Sequence, residues 1–468
     1  MTGLWIKQTL LGLAGMIFLL PSASAQQLNV YPIPDRWNYD FTVCVRQPGG
    51  AWQSLDECAV TVDMHNPQEA SMVQFDFEGK VEMRVKVNNG RVNDVKIRPL
   101  ARKIKPKVKG NFIYFTLTEP AKLSLEVNGD RLHNLHIFAN AMEKEKYNRG
   151  DPNVMYFSGL NKPKNSPDTV YRIPSNTIVY FAPGSVVYGK FVCDSVENVR
   201  FLGRGIIMQQ ERGFEITFSR NIEIDGITVI NPRHYTVFGG QTTGLKINNL
   251  KSFSAKVWSD GIDLMSCSDV VINDIFMRNS DDCIAIYGHR WRYFGDVRNY
   301  TVTHAILWAD VAHPINIGSH GDARDNSEGE VIENLRFSNL DILEHDEKCD
   351  YFHGCMAFSV ADKNLARNIT FEHVRVESML EGQLFNLRVL YNPTWGPGCP
   401  GRGIENITFR NIYSNAVDAF PSVIEGYDEN RRIKNITFEN IVINGKRAKT
   451  LREAGLKTGK YVDHVIVK

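Results

Sequence analysis

The chain has 468 residues, of which 43% are hydrophobic, 10% aromatic and 23% charged, with 54 basic and 53 acidic side chains and a net charge of +1. That length allows two domains, or one domain and a long solenoid. The near balance of charge leaves no electrostatic footprint for nucleic acid, so no nucleic-acid partner is expected.

The first 25 residues read as an export signal. Lys7 gives a weak positive start, Leu10 to Leu20 is mostly apolar, and Ser22-Ala23-Ser24-Ala25 offers a cleavage site before Gln26. The apolar stretch is shorter than the about 20 residues a spanning helix needs, and no later apolar run reaches about 18. No cysteine follows the cleavage site, which speaks against a lipid anchor there. The mature protein is expected to be secreted or periplasmic, without membrane insertion. Disulfides persist in such compartments. Cys44 with Cys58, and Cys349 with Cys355, are close enough in sequence to pair, although spacing does not fix connectivity. No C-x-x-C pair suggests a zinc site.

From about Leu28 to Asn140 short runs alternate apolar and polar residues between turn signals. Examples are Met72-Val73-Gln74-Phe75-Asp76-Phe77, and Val81-Glu82-Met83-Arg84-Val85-Lys86-Val87 before Asn88-Asn89-Gly90. Period-two alternation with such turns predicts half-buried antiparallel strands, and a β-sandwich over residues 26–145 buries one face of each. The polar stretch Glu143 to Pro152 reads as a linker.

Residues 146–468 have a different texture, a repeated strand phrase. It runs Asn198-Val-Arg-Phe-Leu-Gly, Asn221-Ile-Glu-Ile-Asp-Gly, Gly244-Leu-Lys-Ile-Asn-Asn, Asp269-Val-Val-Ile-Asn-Asp and Asn299-Tyr-Thr-Val-Thr-His. It continues at Asn334, Asn368, Asn406 and Asn435, the last three sharing Asn-Ile-Thr-Phe. The first phrases are 23 residues apart and later ones are spread by insertions, a solenoid signature. Alternate apolar positions face a shared interior, and the leading Asn or Asp suits a tight left-handed turn. One unit cannot bury its apolar face alone, but stacked units can. A right-handed parallel β-helix is therefore expected, with its Ile, Val, Leu and Phe as core.

One coil carries reactive side chains. Ser259-Asp260-Gly261-Ile262-Asp263 precedes one strand phrase, and Ser280-Asp281-Asp282-Cys283 precedes the following strand. Asp260 and Asp281 are 21 residues apart, about one coil, and adjacent strands lie about 4.8 Å apart, so three carboxylates share a small patch. Asp-Gly and Asp-Asp are ordinary turn residues taken singly. Three of them one coil apart are electrostatically unfavourable unless something is gained, because like charges push one pKa upward. A raised pKa suits a general acid, and glycoside hydrolysis needs one protonated carboxyl and one ionised carboxylate, whose separation decides inversion or retention. Asp281 is assigned as the acid, with Asp260 and Asp282 activating water. In a regular strand Asp281 and Asp282 face opposite sides, but at a bulge both can face outward. His313, in the run His313-Pro-Ile-Asn316-Ile-Gly-Ser-His320-Gly-Asp322, can hold a carboxylate in its working state or bond substrate.

These motifs resemble the active-site motifs of glycoside hydrolase family 28, the polygalacturonases: Ser259-Asp260-Gly261, Asp281-Asp282-Cys283, and His313 followed by Ile317-Gly318-Ser319. Ile173-Pro174-Ser175-Asn176-Thr177 with Ala182-Pro183-Gly184 looks like the β-helix entry of such enzymes. The resemblance covers most of residues 150–445 and implies an inverting hydrolase using three aspartates, with Asp281 the usual acid. One departure stands out. The Arg-x-Lys pair by which that family grips a uronate carboxylate is replaced by Cys355-Met356-Ala357-Phe358-Ser359, and Arg388 on a later coil either substitutes for it or simply forms a surface contact. That loss, and the sandwich ahead of the solenoid, make the chain similar also to family 49, the dextranases and isopullulanases. Arg233, His234 and Tyr235 one coil earlier, and Tyr287, His289, Trp291, Asn316 and Trp395, are candidates for sugar subsites. The inserts around His289 to Arg298 and Tyr391 to Arg402 are expected to carry specificity.

The expected partner is a polysaccharide or oligosaccharide, with no cofactor and no metal. Two other readings share this fold: a polysaccharide lyase, which would hold Ca²⁺ with its carboxylates, and a glycan-binding β-helix without catalysis.

Overall fold

A computed structural model describes residues 1–2 and 26–468, other than 350, 353, 393, 396–397 and 417–418. The export segment expected over residues 1–25 thus lies, but for its first two residues, outside the described residues. Among the described residues no helix is long and apolar enough to cross a membrane.

Residues 27–141 form two packed sheets. One runs in the order Gln27–Asn29, Gln68–Glu78, Asp130–Ala141, Ala121–Val127, Val95–Arg98, with Cys58–Val62 also on Gln68–Glu78. The other runs Gln53–Leu55, Phe41–Arg46, Val81–Val87, Phe112–Leu117, Lys107–Lys109, antiparallel throughout. Their facing residues, among them Phe41, Val43, Phe75, Met83, Val85, Ile113, Leu123 and Ile137, fill the space between them. The expectation of antiparallel strands is corrected at one pair: Asp130–Ala141 lies parallel to Gln68–Glu78.

The strand Gln68–Glu78 is buried along nearly all its length, because its second face packs on the solenoid. Met72 and Phe138 meet Ile206, Ile230, Phe253, Phe276 and Trp308. The polar alternates Gln74 and Asp76 sit in that same interface. Asp76 pairs with Arg204 at 3.0 Å, so the buried charge is compensated. Deeper along the interface Arg278 pairs with Asp310 at 3.1 Å and donates to Asn134.

From Val154 the chain winds as a parallel β-helix. One wall is an eleven-stranded parallel sheet that includes Phe214–Thr217, Val237–Gly240, Ile262–Met265, Ile284–Tyr287, Ile315–Ile317, Met356–Val360 and Phe385–Val389. The phrase strands build the twenty-stranded sheet that closes the rest of each coil. Every phrase opens on a left-handed residue. The eight Asn or Asp openers have φ between 54° and 63°, and Gly244 has 74°. Their amides bond the same position one coil earlier, as in Asn221 to Asn198 at 3.2 Å and Asn435 to Asn406 at 3.0 Å. Inside, the phrase phenylalanines stack as Phe337, Phe371, Phe409 and Phe438, with centroids 4.4, 5.4 and 5.1 Å apart. This repeated turn, ladder and stack keeps the coils in register and so fixes where each outward side chain stands.

The eight cysteines are all free, which corrects both disulfide pairings left open by the spacing. Cys44 and Cys58 lie in strands of different sheets of the sandwich. Cys355 points into the coil interior, while Cys349 is exposed in a loop.

Candidate active site

The outward side of the eleven-stranded wall carries the acidic cluster. Ile262–Met265 pairs with Ile284–Tyr287 in parallel, Ile262 opposite Ile284. The Gly261 N–H donates to the Asp282 carbonyl at 2.8 Å, so Asp260 lies under Asp282, one coil below. The neighbouring strand Phe276–Ser280 has a register shift between Asn279 and Ser280. Directly after it Asp281 takes φ 151°, a conformation side chains other than glycine rarely adopt. The irregularity turns both Asp281 and Asp282 to the same cavity. Carboxylate oxygens of Asp260, Asp281 and Asp282 come within 4.8 Å of one another.

Each carboxylate has a distinct environment. Asp281 accepts the Trp258 N–H at 3.2 Å and the Asp282 N–H at 3.1 Å. Burial and the charge of Asp282 still push it up to about 7. Burial alone would raise Asp282 too, but His313 and Asn316 overcome this and hold it below the usual carboxylate value. Its Oδ1 takes the His313 N–H at 3.0 Å and Nδ1–H at 2.6 Å, and its Oδ2 takes Asn316 Nδ2 at 2.8 Å. The other ring nitrogen of His313 donates to the Phe352 carbonyl. With both nitrogens donating, the ring is an imidazolium. Burial disfavours that charge, but Asp282 lifts the ring to about 9. Asp260 is raised well above the usual value by burial and by Asp263, Asp281 and Asp282. The cluster therefore holds one firmly ionised carboxylate, Asp282, beside two that tend to keep a proton.

The cavity around them has a volume of 240 Å³, and its lining includes Tyr235, Trp258, Tyr287, Arg290, His320 and Trp395. Of the expected site residues, Asp260, Asp281, Asp282, His313, Asn316, Tyr235, Tyr287 and Trp395 line it together. The other five do not. Trp291 packs on Phe238, with ring centroids 5.6 Å apart. Arg233 pairs with Asp168 at 3.0 Å on the surface. His234 is half-buried beside the cavity lining and accepts the Tyr235 N–H. His289 faces Glu330 at 3.6 Å on the far side of its hairpin. Arg388 lies over the Tyr351 ring at 4.8 Å and reaches Glu425 at 3.4 Å.

The coil where the family's Arg-x-Lys pair was expected is Met356–Val360. Met356, Phe358 and Val360 pack inside, leaving Ala357 and Ser359 as the outward alternates. Among the described residues Arg290 is the single Arg or Lys on the cavity. Its guanidinium donates to the Tyr235 hydroxyl at 2.5 Å and lies 4.0 Å from Asp263.

Arg290, Asp263, Glu347, Cys349 and Phe352 were not picked out as functional from the sequence. Asp263 carried a usable signal, because alternation with Ile262 and Leu264 turns it outward. It is fully buried, with its carboxyl against that of Asp260. The others lie on insertions with no periodic cue. Among the described residues two groups could hold a cation: the three aspartates, and His289 with Asp322 and Glu330. In the second group Arg324 already grips Asp322, at 2.8 and 2.5 Å.

A β-helix bearing clustered aspartates outside one wall, beside an aromatic-lined cavity, defines the class of carbohydrate-active β-helix proteins. The family model of glycosyl hydrolases family 28 matches residues 207–458, and the chain belongs to that family. An exopolygalacturonase of Arabidopsis thaliana is 23% identical over 203 residues, 42% of this chain and 43% of that protein. A polygalacturonase of Chamaecyparis obtusa is 25% identical over 229 residues, 46% of this chain and 40% of that protein. The matches thus span about two fifths of the length of these relatives. Among solved structures, Dex49A from Penicillium minioluteum covers 94% of this chain and 96% of its own at a TM-score of 0.59, with 14% identity, a likeness of fold.

Proposed function

We propose that the protein hydrolyses O-glycosidic bonds of a polysaccharide. The observation that carries this reading is the division of labour within the cluster: Asp282 is held ionised by His313 and Asn316, while Asp281 keeps its proton up to about 7. Asp281 gives that proton to the leaving glycosidic oxygen as the C–O bond breaks. A water held between Asp282 and Asp260 loses a proton to Asp282 as its oxygen bonds the anomeric carbon. The products are a new reducing end and a free hydroxyl. Proton transfer from Asp282 back to Asp281 through solvent restores the site.

Water attack on the face away from the leaving group gives inversion, in keeping with the family resemblance. We also propose export, on the apolar Leu10 to Leu20 run and the Ser22-Ala23-Ser24-Ala25 site; sequencing of the exported protein would then begin at Gln26.

The test is a panel of pectins, α-glucans and other plant or algal polysaccharides, scored for new reducing ends. Wild type releases them from at least one polymer, and Asp281→Asn releases them about 10²- to 10⁴-fold more slowly while still binding it. Full turnover by the variant removes Asp281 as the acid.

A further inference from the structure

We infer that the cavity receives the end of a polysaccharide chain, so that the protein trims from a terminus and does not cut internally. This rests on the hydrolase reading and adds the mode of attack. The cavity volume of 240 Å³ lies below the roughly 300–1,000 Å³ of common small-molecule pockets and holds about one or two sugar rings.

On one side the cavity is lined by Arg290, from the hairpin of His289–Arg290 and Tyr293–Phe294. That hairpin folds back over the coils that precede the carboxylates. Glu215, Phe238, Asp263 and Ala285 form one outward column, each one coil from the next. Phe238, the neighbour of Asp263 on the N-terminal side, is covered by Trp291 at 5.6 Å and Tyr293 at 5.4 Å between ring centroids. Tyr293 continues on to Phe218 at 5.3 Å. The fit is close enough to require glycine: a Cβ on Gly240 would meet the Tyr293 ring at 2.5 Å. Coils rise by about 4.8 Å, roughly the length of one pyranose unit, so a chain passing Asp260 meets the hairpin after about one unit.

The opposite side is walled by a different insertion. Glu347, Cys349 and Phe352 line the cavity there, and the Phe352 carbonyl is tied to His313. The exposed rings of Trp258 and Trp395 stand at the rim as apolar platforms for the units that remain outside.

The experiment follows product size at low turnover on the polymer that wild type cuts in the panel. The expected result is one small product from the first time point, with slow loss of viscosity. The double variant Trp291→Ala, Tyr293→Ala opens the N-terminal side and adds a ladder of longer products. Oligosaccharides blocked at one terminus or the other provide a second measurement on the wild type: one of the two blocked forms is expected to resist cleavage. A ladder from wild type at the first time point, or equal cleavage of both blocked forms, overturns this inference alone. No cleavage of any polymer overturns the hydrolase reading and this inference together.

Discussion

Replacing Asp281 with Asn should raise stability while removing activity, and the size of both effects follows from the site. In the unfolded chain this carboxyl ionises near 3.8, whereas the fold keeps its proton to about 7. Its contribution is therefore fully present below 3.8 and is lost as pH rises through about 7. At about 1.4 kcal/mol per pH unit, the wild type gives up roughly 4 kcal/mol by pH 8 that the uncharged Asn retains. Asn keeps one acceptor oxygen where the carboxyl had two, so one of the N–H groups of Trp258 and Asp282 loses its partner. That costs about 1 kcal/mol. The net gain is about 3 kcal/mol at pH 8, and a loss of about 1 kcal/mol at pH 3.5. For a chain of this size 3 kcal/mol corresponds to roughly 3 °C in Tm. Removing a general acid costs about 10²- to 10⁴-fold in rate. Thermal unfolding at the two pH values, with activity measured in parallel, reads both. An Asn variant destabilised equally at both pH values would refute a proton held by burial and by Asp282.

His313→Ala leaves Asp282 buried without its cation and should cost about 3–5 kcal/mol near pH 6. The His313 contribution is fully present below 6.5 and lost as pH rises through about 9, and that of Asp282 is lost on acidification through its depressed value. Urea titrations from pH 4 to 10 should thus show the difference between variant and wild type narrowing as pH rises from 6.5 through about 9; a gap independent of pH would contradict the charged pair. Among pectic substrates, methyl-esterified pectin should be cut faster than de-esterified pectate. The single cavity arginine is engaged with Tyr235 and Asp263, and a uronate about 5 Å from ionised Asp282 costs up to roughly 3 kcal/mol. Reducing-end assays on the two polymers decide this, and a preference for pectate would show Arg290 free to bind a carboxylate. Asn435→Ala forces alanine to φ 59° and removes the amide bond to Asn406. It should cost about 1–2 kcal/mol, and Asn435→Gly less, measured by urea unfolding.

The solenoid was legible because its constraints repeat within each coil. The Asn or Asp at each phrase start announced a left-handed turn, and alternation named the interior. The pairing of Asp260 with the Asp281-Asp282 step followed from the same period. The sandwich was legible as alternation, but Gln74 and Asp76 read as solvent-facing, and in the fold they face the solenoid. Such a second burial depends on domain docking, which no local pattern records. Placement failed where a side chain's fate depends on an insertion. Arg233 and Arg388 stand on coils flanking the site, yet each turns to a partner, Asp168 and Glu425, supplied by another part of the chain. Arg290 and Phe352 reach the cavity through fold-backs whose direction is set by long-range ring packing and by the tie to His313. His289 lies in the same hairpin as Arg290 but faces Glu330, because neighbouring residues of a two-stranded hairpin point to opposite sides.

The most direct measurement is ¹H NMR of the first product formed by wild type, with and without chelator. The account predicts a saturated sugar with a newly formed reducing end, in the anomeric configuration opposite to that of the cleaved bond, formed at the same rate when divalent cations are removed. An unsaturated product absorbing in the ultraviolet, or activity that vanishes with chelator and returns with Ca²⁺, would contradict it and give the three aspartates to a metal.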